Sequence, residues 1–163
     1  MSATDSVPGG YVTGVFHHGI TVRDVDRSLA FYRGLLGLEL VTDRTTSDQY
    51  LGDIHGVRFT SVRMAFLRVP GTEHMVELVS YEGVDQEVAR ALPWYPGSGH
   101  IGFEVRNLRE LGTRLAAYGL PALAPAPVEI VSGPNKGTLV LKLQDPDGYW
   151  IELVQRPPGW AGG

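Results

Sequence analysis

Residues 17–25 read His-His-Gly-Ile-Thr-Val-Arg-Asp-Val, and residues 100–108 read His-Ile-Gly-Phe-Glu-Val-Arg-Asn-Leu. A shift of 83 positions (100 minus 17) superposes histidine, glycine, valine and arginine of the first stretch on the same residues of the second. Each half then closes on a β-rich stretch with one glutamate between apolar neighbours, Glu77 in residues 75–79 and Glu152 in residues 150–154. The chain is therefore a duplicated module, and this duplication decides the fold.

Working outward from each opening strand, the pattern predicts one helix and three further strands. Asp24 and Asn107 are suited to cap the two helices, whose apolar residues recur at helical spacing, and Gly37 and Gly119 are suited to end them. The remaining strands are predicted over residues 38–41, 60–69 and 75–81 in the first half, and over 122–130, 138–143 and 149–154 in the second. The prediction is an α+β fold of two βαβββ modules in tandem.

These modules are expected to form a single domain over residues 14–156, since one module alone can hardly bury its sheet. Module one covers about 14–81, module two about 100–156, and an acidic connector with helical potential covers 82–99. Residues 1–13 and 157–163 are expected to be loose ends. Module one has an additional polar segment, 45–59, that we interpret as a lid or substrate loop.

Composition excludes several classes of function. The chain has 163 residues, a net charge of −4 and no cluster of lysine or arginine, which argues against nucleic acid and acidic membranes as partners. No apolar run approaches the roughly 18 residues of a membrane span, and residues 1–10 do not resemble a secretory signal, so we expect a cytoplasmic protein. With no cysteine in the chain, any metal must be held by imidazole and carboxylate.

The duplicated histidines and glutamates predict one metal site built from two half-sites. Strand side chains alternate, so His17 shares a face with Gly19, and each glycine two residues after a histidine keeps that face open. If the concave faces of the two sheets meet, His17, Glu77, His100 and Glu152 line one cavity. Two imidazoles and two carboxylates suit Zn, Ni, Co, Mn or Fe(II), and the sequence does not choose among them. Three histidines lie outside this register and are read as structural: His18, His55 and His74.

Residues 17–32, His-x-Gly-Ile-x-Val-Arg-Asp-Val-Asp-Arg-Ser-Leu-Ala-Phe-Tyr, resemble the opening of the vicinal oxygen chelate superfamily, which includes glyoxalase I, extradiol dioxygenases and bleomycin-type resistance proteins. Residues 145–153, Asp-Pro-Asp-Gly-Tyr-Trp-Ile-Glu-Leu, resemble its closing hairpin. The resemblance implies paired βαβββ modules that form a cup-shaped mixed sheet around a metal site, and commonly a homodimer. It places the four ligands on His17, Glu77, His100 and Glu152, a set similar to that of metal-dependent glyoxalase I.

This resemblance implies a divalent-metal-dependent isomerase, lyase or epimerase acting on a small molecule with vicinal oxygens. The metal would act as a Lewis acid for an enediolate or enolate, while Glu152 or Glu77 removes the proton α to a carbonyl. Lys136, in a loop resembling one whose lysine meets an anionic part of the substrate, is a weaker candidate for substrate contact. So are Glu104, on the His100 face, and the aromatic Tyr50 and Trp94.

Two other classes of function stay open. An extradiol dioxygenase uses two histidines and one carboxylate on Fe(II), and Glu77 would fill one of the positions that it leaves free. A non-catalytic protein that binds an antibiotic or another small molecule would use the same fold but has little need of four ligands. Residues 45–59 do not match glyoxalase I, and no cluster of residues is evidently dedicated to glutathione. The sequence therefore leaves the substrate, the native metal and the intra- or inter-chain origin of the site undecided.

Overall fold

A computed structural model describes residues 11–87, 89 and 91–160. It contains two four-stranded mixed sheets, one in each module, with strand orders β1-β4-β3-β2 and β5-β8-β7-β6. The elements are β1 His18–Thr21, α1 Val25–Leu29 with a π-helical continuation Ala30–Leu35, β2 Glu39–Thr46, α2 Tyr50–His55, β3 Ser61–Arg68, β4 Met75–Glu82, β5 His100–Glu104, α3 Leu108–Tyr118, β6 Val128–Glu129, β7 Leu139–Gln144 and β8 Trp150–Gln155. The predicted α+β fold of tandem modules is confirmed. No helix among the described residues is long and apolar enough to cross a membrane.

Both sheets have the same topology. The first strand of each module runs parallel to the last, β1 beside β4 and β5 beside β8, and the other pairs are antiparallel. This arrangement follows from the helix after the first strand, because a parallel partner requires a crossover connection. It sets the opening histidine of each module beside the closing glutamate, which is the arrangement that the repeat predicts.

Alternation along the strands gives each sheet a helix face and an open face. The helix faces, with Ile20, Leu78, Phe103 and Ile151 among them, join both modules in one apolar core. The first open face carries Gly19, Thr21, Val62, Met64, Phe66, Glu77, Val79 and Tyr81. The second open face carries His100, Gly102, Glu104, Val140, Lys142, Gln144, Trp150, Glu152 and Val154. None of these open-face residues belongs to the shared core, so the open faces point away from it.

A group of polar contacts, which we call the module clasp, fastens β1, α1 and its π-helical continuation to the β7–β8 hairpin. The Tyr32 hydroxyl donates a hydrogen bond to Asp145 Oδ2 at 2.8 Å, and both residues are buried. The guanidinium of Arg27 pairs with Asp147, and His18 Nε2 lies 2.8 Å from the Tyr149 hydroxyl. Burial raises the pKa of Asp145 above its usual range, while the hydrogen bond from Tyr32 opposes that rise. The clasp joins residues that are more than a hundred positions apart in the chain.

The ends of the predicted helices are only partly as expected. Asp24 caps α1, accepting backbone hydrogen bonds from Asp26 and Arg27 at 2.9 and 3.1 Å. Gly37 and Gly119 have φ of +83° and +81°, the left-handed conformation of a helix stop. The prediction that Asn107 caps α3 is wrong, because its backbone is left-handed and its side chain makes no cap hydrogen bond. Instead the Leu108 N–H donates to the side chain of Gln155, at 2.6 Å.

Three segments differ from the expected elements. Segment 45–59 is not simply a loop, because strand β2 extends to Thr46 and helix α2 occupies residues 50–55. Two of its residues, Leu51 and Phe59, pack on the first open face. The strand predicted over 122–130 shrinks to Val128–Glu129 and an isolated bridge at Ala122, since the prolines of this stretch cannot donate backbone hydrogen bonds. In the connector, Glu82 ends β4, and the other described residues form turns and irregular stretches without a helix. Of the expected loose ends, residues 1–10 and 161–163 lie outside the described residues.

Candidate metal centre

The first half-site consists of His17 and Glu77. Strand β1 begins at His18, so His17 immediately precedes it rather than lying within it. Gly19 is paired with Glu77 in the parallel register, and His17 Nε2 lies 3.2 Å from Glu77 Oε2. A Cβ atom at position 19 would lie 3.5 Å from that carboxylate oxygen and 3.7 Å from the imidazole ring. Glycine therefore leaves free the space in which the two side chains converge.

The second half-site repeats this arrangement with His100 and Glu152. Gly102 is paired with Glu152, and His100 Nε2 lies 3.6 Å from Glu152 Oε2. The other carboxylate oxygen, Oε1, lies 3.6 Å from the ammonium nitrogen of Lys142. Lys142 is on strand β7, directly opposite Glu152 on strand β8. The Glu152 side chain is 30% exposed, against 13% for Glu77, so the second carboxylate is the more accessible of the two.

Each half-site has its own surroundings. Beside the first, the ring of Phe66 packs edge-on against His17, at 5.6 Å between centroids, and Met64 and Val79 continue the apolar surface toward α2. Burial and then the charge of Glu77 raise the pKa of Tyr81 on the same face. Beside the second is a cavity of about 300 Å³ lined by Ile130, Asn135, Thr138, Val140, Glu152, Val154, Arg156 and Trp160. The first half-site thus has an apolar surface beside it, whereas the second has a cavity of mixed lining and two nearby cations, Lys142 and Arg156.

The geometry of each pair fits a divalent transition metal. Ligands in neighbouring positions of one coordination shell, each about 2.1 Å from the ion, are about 3.0 to 3.4 Å apart. The separation of 3.2 Å in the first pair lies in this range, and 3.6 Å in the second is slightly longer. Imidazole and carboxylate donors suit such ions better than calcium or magnesium. Each pair can therefore supply two ligands to one ion.

A single chain does not bring the two pairs together. Within the part of the chain that the structure describes, no three histidine, aspartate or glutamate side chains are grouped closely enough to hold a metal ion. The open faces that carry the pairs lie outside the shared core and belong to different sheets. The four side chains therefore form two separate pairs in the part of the chain that the structure describes.

His18, which adjoins His17 in the sequence, has the structural role expected of it. It points to the helix face, where it contacts the Tyr149 hydroxyl in the module clasp. Burial, followed by the influence of His17, lowers the pKa of His18 below its usual value. His55 contacts the hydroxyl of Tyr81 at 3.0 Å on the first open face, and His74 lies exposed in the turn before β4.

The predicted substrate-contact residues lie at the periphery. Lys136 is exposed in the turn 133–137, and Glu104 is paired at 3.4 Å with Arg156 on the second open face. Tyr50 begins α2 and Trp94 lies in a connector turn, and both are exposed. Sequence reasoning missed Lys142 and Phe66, which touch the half-sites directly. Alternation was the available signal for Lys142, because it lies between the buried Leu141 and Leu143 and must face the other way.

Two tandem βαβββ modules, each with a histidine and a glutamate converging on its open face, define a protein of the glyoxalase fold. The model of the Glyoxalase/Bleomycin resistance protein/Dioxygenase superfamily matches residues 14–153, and the chain belongs to this family. The resemblance read from residues 17–32 and 145–153 is thereby confirmed.

Individual relatives are consistent with this assignment. The chain is 31% identical over 153 residues to a lactoylglutathione lyase of Salmonella typhimurium, covering 91% of this chain and 96% of that one. It is 30% identical over 147 residues to a probable chloroplastic lactoylglutathione lyase of Arabidopsis thaliana, covering 88% of this chain but only 36% of the plant protein. A crystal structure of a glyoxalase family protein from Bacillus cereus has the same fold, with a TM-score of 0.78 at 18% identity over 93% of this chain and 99% of that one. Relatives named as lyases at this identity support an enzyme of the glyoxalase family.

Proposed function

We propose that this chain is a divalent-metal-dependent, glyoxalase I-like isomerase, lyase or epimerase that removes a proton α to a carbonyl. The observation that carries the proposal is the pair of converging His–Glu contacts, one per module and in matching register. A structural role would require neither the repetition nor the glycine that leaves space beside each glutamate. Family membership and the lyase names of relatives support the same reaction class.

The proposed ligands are His17 and Glu77 from one half-site and His100 and Glu152 from the other. We propose that they meet between two copies of the chain, so that a homodimer has two sites, each built from module one of one copy and module two of its partner. Two outward open faces, each with an incomplete ligand set, support this arrangement. In the same proposal residues 14–156 act as one domain, held together by the shared core and the module clasp.

The bound ion would supply Lewis-acid polarisation of two vicinal oxygens of a small-molecule substrate. The two glutamates differ in exposure and contacts, and this difference suggests a different role for each. Glu77 is the more buried carboxylate and lies close to His17, which suits a ligand that stays in place. Glu152 is more exposed and borders the 300 Å³ cavity, which suits a base that reaches the α-proton of a substrate bound there. The apolar wall with Phe66 offers contact to a hydrophobic part of that substrate.

Metal content and α-proton exchange test this function together. We expect about one transition-metal ion per chain in protein purified without chelator or affinity metal, and loss of that ion in both His17→Ala and His100→Ala. His74→Ala is the matched control, because His74 is exposed and belongs to neither pair. With the metal identified, exchange of the α-proton of 2-hydroxycarbonyl and 2-oxocarbonyl compounds in D2O is followed by NMR. Wild-type protein that cannot be loaded with Zn, Ni, Co, Mn or Fe(II) would refute the proposal.

A further inference from the structure

The feature that the proposed metal chemistry leaves unexplained is the ammonium group of Lys142. It lies on the second open face, its side chain is only 21% exposed, and it is 3.6 Å from Glu152 Oε1. Among the described residues, Glu152 is the only acidic side chain within 4 Å of it. The other cation bordering this half-site, Arg156, is already engaged with Glu104 and with the ring of Trp160.

Charge in the assembled site would not balance with Lys142 present. Two neutral imidazoles and two carboxylates neutralise one divalent ion. Lys142 adds a further positive charge beside Glu152, a ligand of the same ion, and in a partly buried site that charge is only weakly screened. A substrate with one negative charge restores neutrality, whereas a neutral substrate does not.

The contact with Glu152 also leaves donors free. The N–O distance of 3.6 Å exceeds the 2.7 to 3.2 Å usual for a hydrogen bond, so the pair is an electrostatic contact rather than a tight bond. An ammonium group has three donors, and no hydrogen bond to another described residue uses one of them. Lys142 therefore has both the charge and the unused donors needed to bind an anionic oxygen next to Glu152.

We propose that Lys142 is a specificity-determining residue that binds the carboxylate of the substrate, and that the substrate is a 2-hydroxy or 2-oxo carboxylic acid or a close derivative with a free carboxylate. The inference rests on the proposed metal site, since the adjacent oxygen of such an acid would bind there. It differs from the sequence-based expectation for Lys136, which is exposed in a turn and is paired with neither half-site.

Binding of a charged and a neutral ligand of the same shape tests this assignment. Mandelate and mandelamide both carry vicinal oxygens and an apolar ring, and they differ in charge. Each is titrated calorimetrically into cobalt-loaded wild type, Lys142→Met, Lys142→Arg and the control Arg109→Met. Arg109 lies exposed on α3, on the other side of the second sheet, and its substitution removes the same charge. Metal per chain and circular dichroism are measured first for every variant.

We expect Lys142→Met to weaken mandelate binding about tenfold and mandelamide binding by less than about twofold, because only the carboxylate loses a charged hydrogen bond. Lys142→Arg should retain the preference for mandelate, and Arg109→Met should behave as wild type. Loaded wild type with no preference for mandelate, or a Lys142→Met variant that weakens both ligands equally, would overturn the assignment of Lys142 alone. Wild type that takes up no metal would overturn the proposed function, and this inference with it.

Discussion

A heterodimer of two inactive variants tests whether the metal site forms between chains. In the proposed dimer, each site joins His17 and Glu77 of one copy to His100 and Glu152 of its partner. Pairing a His17→Ala chain with a His100→Ala chain puts both substitutions into one site and leaves the other site with all four ligands. The purified heterodimer should therefore bind about one ion, against about two for wild type and none for either homodimer. A simple equimolar mixture should recover about a quarter of the wild-type sites, since half of the dimers are heterodimers with one of two sites intact.

The assay uses co-expression of the two variants with different affinity tags, tandem purification and metal analysis, followed by activity of the same sample. The matched control places both substitutions in one chain, His17→Ala/His100→Ala, and pairs it with wild type. If each site is shared between chains, both sites of this control dimer contain one substitution, and it should bind no ion. If each site forms within one chain, the wild-type chain keeps its site, and the dimer should bind about one ion. A heterodimer of the single variants that binds no metal, together with a control that binds one, would refute the inter-chain arrangement derived from the outward open faces.

Three further predictions concern the base, the module clasp and a helix cap. Glu152→Gln should keep the fold and lower turnover by about a hundredfold or more, as measured by α-proton exchange, because an amide cannot accept the proton; unchanged turnover would exclude Glu152 as the base. Tyr32→Phe should lower the free energy of unfolding by about 1.5 to 3 kcal/mol at neutral pH, because Asp145 loses its charged hydrogen bond. The hydrogen bond from Tyr32 lowers the pKa of Asp145, so it favours the ionised carboxylate. At a pH below the usual aspartate range, where Asp145 is protonated in both the folded and the unfolded protein, Tyr32→Phe should therefore lower the free energy of unfolding by less. Urea unfolding of both proteins at acid and neutral pH measures this difference. Asp24→Ala should cost about 1 kcal/mol in the same assay, because two backbone N–H groups of the first helical turn lose their acceptor.

Much of the fold could be predicted because it is encoded in local patterns that occur twice. The shift of 83 residues pairs the opening strands and the helices that follow them, and a shift of 75 (152 minus 77) pairs the closing glutamates. Alternation correctly separates the face of His17 from that of His18. The placement of Gly37 and Gly119 at helix ends was likewise readable, since left-handed backbone favours glycine. These features depend on near neighbours in the sequence, which a pattern can reveal.

Features that depend on distant residues could not be read in this way. The N-terminus of α3 is capped by Gln155, 47 positions away, rather than by the adjacent Asn107. The hydrogen bond between Tyr32 and Asp145 spans 113 positions, and no local sequence pattern predicts that these two residues are partners. Helix α2 is only six residues long and includes Gly52, so its periodicity is too short to detect. The repeat identifies which residues correspond, but it does not identify the chain from which each half-site comes.

The unequal surroundings of the two half-sites have a stereochemical consequence. A perfectly duplicated centre would have a local twofold axis, and a planar intermediate could lie in it in two equivalent orientations, with either face toward either glutamate. Phe66 on one side and Lys142 on the other remove that axis. In the proposed site, an asymmetric ligand with an apolar end and a charged end would have one preferred orientation, which would present one prochiral face to Glu152. Divergence after duplication has thereby made the two glutamates non-equivalent, so that the two faces of a bound intermediate would meet different side chains.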